Sequence, residues 1–439
     1  MGTIKTKPHK SEPSTSGAVF VPAVRFAEMY RERIGNNPIE NAVMAAPPTI
    51  TVQGDTTPFG AMTRYSYKAA APVAGFSSSD YFTWLGAPKG SKFLDNTSLG
   101  SYAQPRGPRA NKSANMAYNF GAWMVGFRTD SPVVKPLLMG GNATRKYRCV
   151  VDDQFTQAQT SYYVCSSWSE TGVTSQGLLM DFTGVGGSKS REVWIDSWGD
   201  QAFGGVEIQE GYSIEPVMGR APMVLVISDS YFGSGLGETD GVGFGAYPFA
   251  ENICNTARYL TGWDIVSAGM TSTGYITRAN VGDFDSVEQM WDYRLEDCAG
   301  IAPDAISVMM GYNDRVSTLL PADVTDRLRR VRAAFPNVPI HVGGPWPGVE
   351  NFSARIVATE LAIEAGVAAM ADPLIEFVPT IRRGDPWLTG AASQGTPAGA
   401  TGNSRYLIGY DNIHPTRRGA LHHARRWAED FLAAMQSMI

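Results

Sequence analysis

Between residues 50 and 217, short runs rich in Val, Tyr, Phe, Trp and Thr alternate with clusters of Gly, Asn, Asp and Ser. AWMVGFRTD, YRCVVDD, TSYYVCSSW, LLMDFT, REVWIDSW and GGVEIQEGYSIEPV are runs of this kind. Strands at this spacing, with no long helical pattern between them, predict an all-β sandwich of the jelly-roll type. After Pro222 the pattern changes. Continuous apolar runs at 223–228 (MVLVIS), 264–269 (DIVSAG), 305–311 (AISVMMG), 338–344 (VPIHVGG) and 373–378 (PLIEFV) now alternate with helical segments. ADVTDRLRRVRAAF, SARIVATELAIEAGVAAM and the closing RRGALHHARRWAEDFLAAM are the clearest of these. Apolar strands covered by helices on both faces predict an α/β unit, a doubly wound parallel sheet of flavodoxin-like type. Ahead of both, VPAVRFAEMYRERIG places Val24, Met29, Tyr30 and Ile34 at helical spacing with Gly35 as a C-cap, and this helix is expected to dock within its own chain. The expected partition is a polar arm at 1–18, a helix and linker at 19–49, the sandwich at 50–217 and the α/β unit at 218–439.

Composition narrows the classes. Apolar residues make up 43% and charged residues 18% of 439 positions, enough to build more than one core. A net charge of -5 argues against a nucleic-acid partner. Cys149, Cys165, Cys254 and Cys298 form no C-x-x-C pair and read as buried thiols, so no metal site is expected. The first residues, MGTIKTKPHKSEPSTSG, lack the apolar core of a signal peptide, and no run of 18 apolar residues occurs. A soluble chain made in the cytosol, with no membrane partner, is the expectation.

In an open α/β sheet the active groups lie beyond the carboxyl ends of the strands. The first strand there delivers Ser228-Asp229-Ser230, the second Ser267-Ala268-Gly269, and the third Gly311-Tyr312-Asn313-Asp314. The loop before the last helix carries Asp411-Asn412-Ile413-His414-Pro415. A serine hydroxyl needs an adjacent base, and the base needs an acceptor that fixes its tautomer. Of five histidines, His9 lies in the arm, His341 in an apolar strand, and His422 and His423 in the terminal helix. That leaves His414 as the base for Ser230, with Asp411 to orient it. Acyl transfer also needs donors for an oxyanion, and the Ser230 and Gly269 amides and the Asn313 side chain are candidates. Asp229 and Asp314 read as loop braces. Tyr231, Phe232 and Trp346 are candidates for walling a sugar site, with packing as the plainer role.

These blocks, in this order, resemble the SGNH (GDSL-type) serine hydrolases over residues 223–437. The resemblance assigns Ser230, Gly269, Asn313 and His414 to the four residues that name the family, and Asp411 to the triad acid. One block departs from the pattern, with Ser228 where glycine is usual. The stretch Gly233-Ser-Gly235-Leu-Gly237 has the wrong spacing for a dinucleotide loop, and Asp264 starts its strand where a ribose-binding acid would end it. No cofactor is expected.

A β domain directly before an SGNH domain is similar to carbohydrate esterases that deacetylate polysaccharides. The implied activity is O-deacetylation of a glycan through an acetyl-serine. A lipase or thioesterase, a transacetylase, and a non-enzymatic glycan-binding virion protein are the alternatives. The sandwich reads equally as a sugar-binding module and as a structural or oligomer-forming one, and the whole would suit a phage tail component.

Overall fold

In the computed structural model the described residues are 20–36, 44–54, 61–66, 76–78, 81–85, 91–96, 100–105, 122–139, 145–156, 163–165, 175–198, 202–217, 221–233, 253–278, 284–348, 353–390, 393 and 401–439. Residues 1–18 and most of the glycine-rich stretch, Ser234 to Gly237, lie outside them.

The β-rich half forms two antiparallel sheets, one of seven and one of eight strands among the described residues. The larger sheet is centred on Arg191–Trp198, which pairs with Ala122–Thr129 on one side and Arg145–Val151 on the other. The smaller one is centred on Val133–Met139, flanked by Ser175–Asp181 and Ala202–Gln209. Alternate residues of both sheets, among them Trp123, Phe127, Leu138, Leu178, Val193 and Val206, point inward and make one buried core. The sandwich class follows from this alternation.

The second half holds five parallel strands, Met223–Ser228, Asp264–Ser267, Ala305–Met309, Ile340–Gly343 and Ile375–Val378, in the spatial order second, first, third, fourth, fifth. The first strand is buried at all six positions, because helices cover both faces of the sheet. The helices Ile253–Thr261 and Arg417–Ser437 close one face, with Ala257, Trp427 and Phe431 packed on Val224 and Val226. Val287–Asp297, Pro321–Ala334 and Ala354–Ala368 close the other, with Trp291, Leu328 and Ile363 packed on Leu225 and Ile227. The strand order reverses between the first and third strands, which leaves a crevice at their carboxyl ends.

The amino-terminal helix runs Phe20–Asn36, so Gly35 sits inside its last turn and not beyond it. Its buried side chains are Ala23, Phe26, Ala27 and Tyr30, with Met29 partly buried against the same core; of the positions that the spacing picked, Tyr30 and Met29 thus pack, Val24 is only partly buried, and the Ile34 side chain lies outside the described residues. The docking has a packing cause. Phe26 meets Trp263 and Phe431 edge to face at 4.9 and 5.2 Å, and its carbonyl accepts the Trp263 indole N–H at 3.1 Å. The helix thus crosses the whole sandwich in sequence and docks on the α/β half. Tyr259, stacked on Phe155 at 4.3 Å, and the Arg33–Asp153 ion pair at 2.7 Å tie the halves together as well.

Cys149, Cys254 and Cys298 are buried thiols, and the Cys165 side chain lies outside the described residues. Among the described residues no helix is long and apolar enough to cross a membrane. Truncating a fully buried phenylalanine removes contact area and leaves a cavity, so Phe26→Ala should cost about 3–5 kcal/mol. The check is the urea unfolding midpoint, and a loss below about 1 kcal/mol would mean that the amino-terminal helix is not part of the cooperative core.

Candidate active site

Ser230 opens the short helix Ser230–Gly233, with Asp229 alone between it and the end of the first strand. The strand end is pinned from below. Ser228 Oγ donates to Met309 O on the neighbouring strand at 2.7 Å, and Trp346 Nε1 donates to both Ser228 Oγ and Met309 O at 3.0 and 2.9 Å. The serine that replaces the usual glycine is therefore part of a buried hydrogen-bond set, with Trp346 as its partner. Ser230 itself is 5% exposed, so its hydroxyl sits at the floor of the crevice.

The base arrives from the other end of the domain. Residues 408–416 form a narrow loop closed by an antiparallel bridge between Ile408 and Pro415 and by Gly409 N–H donating to His414 O at 2.8 Å. Asn412 takes a left-handed φ of 64° at its tip, a conformation that Asn tolerates better than most residues. Asp411 Oδ1 accepts the Ile413 and His414 amides at 3.0 and 2.9 Å, and Asp411 Oδ2 lies 2.6 Å from His414 Nδ1. His414 Nε2 reaches Ser230 Oγ at 2.8 Å. Thr416 caps the terminal helix immediately afterwards, accepting the Gly419 amide at 3.0 Å. Ser230, His414 and Asp411 are thus brought into one continuous relay.

The electrostatics fit the geometry. Burial would raise the Asp411 carboxyl, but the His414 hydrogen bond and charge, with the two amides, outweigh it and hold the group below its ordinary value. The carboxylate is charged through the neutral range and orients the imidazole. His341 and His423 are unavailable as bases. His341, buried in the fourth strand, is pushed down by desolvation to about 3. His423 is lowered by burial and by neighbouring His422 to about 3, and its Nδ1 donates to Gly419 O at 2.6 Å.

Gly269 and Asn313 follow the second and third strands, which flank the strand that carries Ser230. Asn313 donates one amide proton to Thr273 O at 2.9 Å, which fixes the side chain and leaves its second proton for a ligand. The Gly269 amide donates to Ser267 Oγ at 3.2 Å, a long bond that a developing anion could compete with. Asp314 is the loop brace that the sequence suggested. Its oxygens accept the Tyr275, Ile276 and Thr277 amides and the Thr277 hydroxyl at 2.7 to 3.1 Å, although burial raises its pKa. A Cβ on Gly274 would fall 2.2 Å from Asp314 Oδ1, so this turn needs glycine.

Tyr231, Phe232 and Trp346 do not wall a sugar site. All three are at most 1% exposed, and they pack beneath the crevice, Tyr231 stacked on Trp346 at 5.4 Å. Their apolar rings follow a strand end that turns inward, so the hydrophobic interior claims them. Tyr231 nonetheless reaches the site indirectly, since its hydroxyl donates to Ile413 O at 2.5 Å and holds the histidine loop. Thr273, which holds Asn313, and Arg294, buried behind it, carried no recognisable signal in the sequence because each acts through a contact between distant elements.

Two predictions follow from these contacts. Asp411→Asn keeps the shape but favours the wrong imidazole tautomer, so kcat on any ester that is turned over should fall by about 10⁴-fold; a loss under tenfold in steady-state kinetics would show that Asp411 does not orient the base. Asp229, fully buried with Oδ1 accepting the Tyr231 amide at 3.1 Å, is raised by desolvation to about 8. The folded state holds this proton to about pH 8 and the unfolded chain only to about pH 4, so its contribution is fully present at the acid end and declines as pH rises between them. The urea midpoint of Asp229→Asn should therefore gain on wild type steadily from pH 4 to pH 8, whereas a flat difference would mean that Asp229 is ionised in the fold.

Neither a family model nor a curated protein sequence matches the chain. Solved structures do. The salicylyl-acyltransferase SsfX3 of a tetracycline biosynthetic pathway aligns with 86% of this chain and 98% of its own at a TM-score of 0.57 and 14% identity. A family two carbohydrate esterase from Cellvibrio japonicus aligns with 86% of this chain and all of its own at 0.54 and 10% identity. Another from Clostridium thermocellum, solved with cellohexaose, covers 72% and 93% at 0.51 and 10%. Likeness at such identities is likeness of fold, and the chain has the two-domain SGNH fold, a β-sandwich followed by a parallel α/β unit.

Proposed function

We propose that this protein is a serine esterase that removes O-acetyl groups from a polysaccharide. The observation that carries the reading is the unbroken relay from Asp411 through His414 to Ser230, at 2.6 and 2.8 Å. In this reading His414 Nε2 takes the Ser230 proton as Oγ attacks the acetyl carbonyl. The sugar oxygen leaves with that proton, and an acetyl-serine remains. Water, deprotonated by the same imidazole, then attacks the acyl carbon, and acetate departs as the proton returns to Ser230. The Ser230 and Gly269 amides and the Asn313 side chain are the proposed donors to the tetrahedral oxyanion, each worth roughly 3–4 kcal/mol in comparable sites.

The substrate assignment rests on fold likeness to family two carbohydrate esterases, one of them solved with a glucan oligosaccharide. The domain partition is proposed as a sandwich at 50–217 and a hydrolase unit at 218–439. The sandwich serves glycan binding or assembly in this reading, and a phage tail that trims a host surface glycan is the setting we propose. A second reading has its own support, because the same fold is found in an acyltransferase. There the acyl-serine would pass to an acceptor hydroxyl in place of water, through the same residues.

The test incubates wild type and Ser230→Ala with aryl acetate, longer acyl homologues and acetylated polysaccharides, following phenol and acetate. Wild type should release acetate, and Ser230→Ala should lose at least about 10⁴-fold in kcat. Preference for long chains would move the enzyme to the lipases, and acetylated acceptor in place of free acetate would make it a transferase. No turnover of any ester would remove the esterase reading.

A further inference from the structure

Behind the crevice lies a buried guanidinium that the triad chemistry does not use. Arg294, on the helix Val287–Asp297, is fully buried, a costly place for a charge. Its contacts are specific. Arg294 Nη2 donates to Thr273 Oγ1 at 2.7 Å, and Nε donates to Met270 Sδ at 3.4 Å. Met270 is the neighbour of Gly269, and its own amide donates to Ser228 O at 2.9 Å, tying it to the strand that carries Ser230. Thr273 presents its carbonyl to the Asn313 amide at 2.9 Å, and its hydroxyl donates to Met270 O at 2.8 Å.

The loop between these points is not relaxed on its own. Ser272 takes a left-handed φ of 59°, a conformation that costs free energy for such a residue and persists only where surroundings enforce it. One side chain therefore grips both ends of a strained turn. One end of the turn adjoins Gly269, and the other holds Asn313. Burial lowers the Arg294 pKa to about 10, which leaves it a cation at neutral pH.

The geometry points to Arg294 as a positioning residue that, through Thr273, fixes where the Asn313 side chain stands in the oxyanion site. The inference rests on the esterase reading. It makes a claim that a purely structural role for Arg294 would not make, because an effect exerted through Asn313 must vanish when the Asn313 amide is gone.

The experiment is a double-mutant cycle on aryl acetate turnover with wild type, Arg294→Met, Asn313→Ala and the double variant, each checked by thermal unfolding. Arg294→Met should lower kcat by about 10- to 100-fold with KM changed less than about threefold, and should cost less than about twofold more in the Asn313→Ala background. Thr273→Val, which removes the Arg294 acceptor and keeps the carbonyl, should show the same non-additivity, and it carries the cycle if Arg294→Met fails to fold. Losses that multiply, or a folded variant with wild-type kcat beside an active wild type, would overturn the inference alone. A wild type without turnover would remove it together with the esterase reading.

Discussion

The contact on which this structure depends is the hydrogen bond between His414 and Ser230, which joins positions 184 residues apart. A bond of such span has no local support, so its length is set by everything that fixes the two ends. The serine end is fixed by a strand buried at all six positions, whose last residue is clamped to the next strand by its own hydroxyl and by the Trp346 indole. The histidine end is fixed by a loop that carries its own carboxylate, and Tyr231 joins the two ends directly through the Ile413 carbonyl. A shift of an ångström at either end would break the relay, and catalytic rates are sensitive to displacements of that size.

Rigidity at the site comes from polar groups held out of water. Asp229, Asp314, Arg294 and Thr273 are all buried close under the crevice, where each unmet hydrogen bond is costly and each satisfied one is strong. Asp314 meets four donors from one turn, and that turn presents the carbonyl that holds Asn313. The crevice floor is thus polar and preorganised while the layers around it are apolar, an arrangement that favours charge developing at one point. The same floor would serve hydrolysis and acyl transfer alike, since both pass through an acyl-serine. The choice between them lies in what reaches the second carbonyl attack.

The sandwich and the α/β half are not beads on a string. The amino-terminal helix passes over the sandwich in sequence to complete the hydrophobic face made by Trp263, Trp427 and Phe431. Tyr259 and Phe155 stack across the junction. Burial of this kind fixes the β half beside the α/β unit, and it makes the amino-terminal helix part of the core of the carboxyl-terminal half.

Some of this was determined by the sequence alone. The parallel sheet was legible because its inner strands, buried on both faces, must be largely apolar, and Met223–Ser228 falls on the run that predicted it. The relay was legible because chemistry limits the choice, and only His414 among the histidines lay outside arm, strand and helix, with Asp411 at the spacing of a single turn. Other features were decided only by the tertiary structure. The helix face that packs is centred on Phe26, which the sequence reading did not single out and which the shape of Trp263 and Phe431 selects. Tyr231, Phe232 and Trp346, placed near the serine by sequence, went to the core because aromatic area outweighs proximity to a site. Arg294 and Thr273 stayed invisible for a related reason. A residue that acts by bridging elements distant in the chain leaves no pattern within any one of them, and its role exists only once packing has brought those elements together.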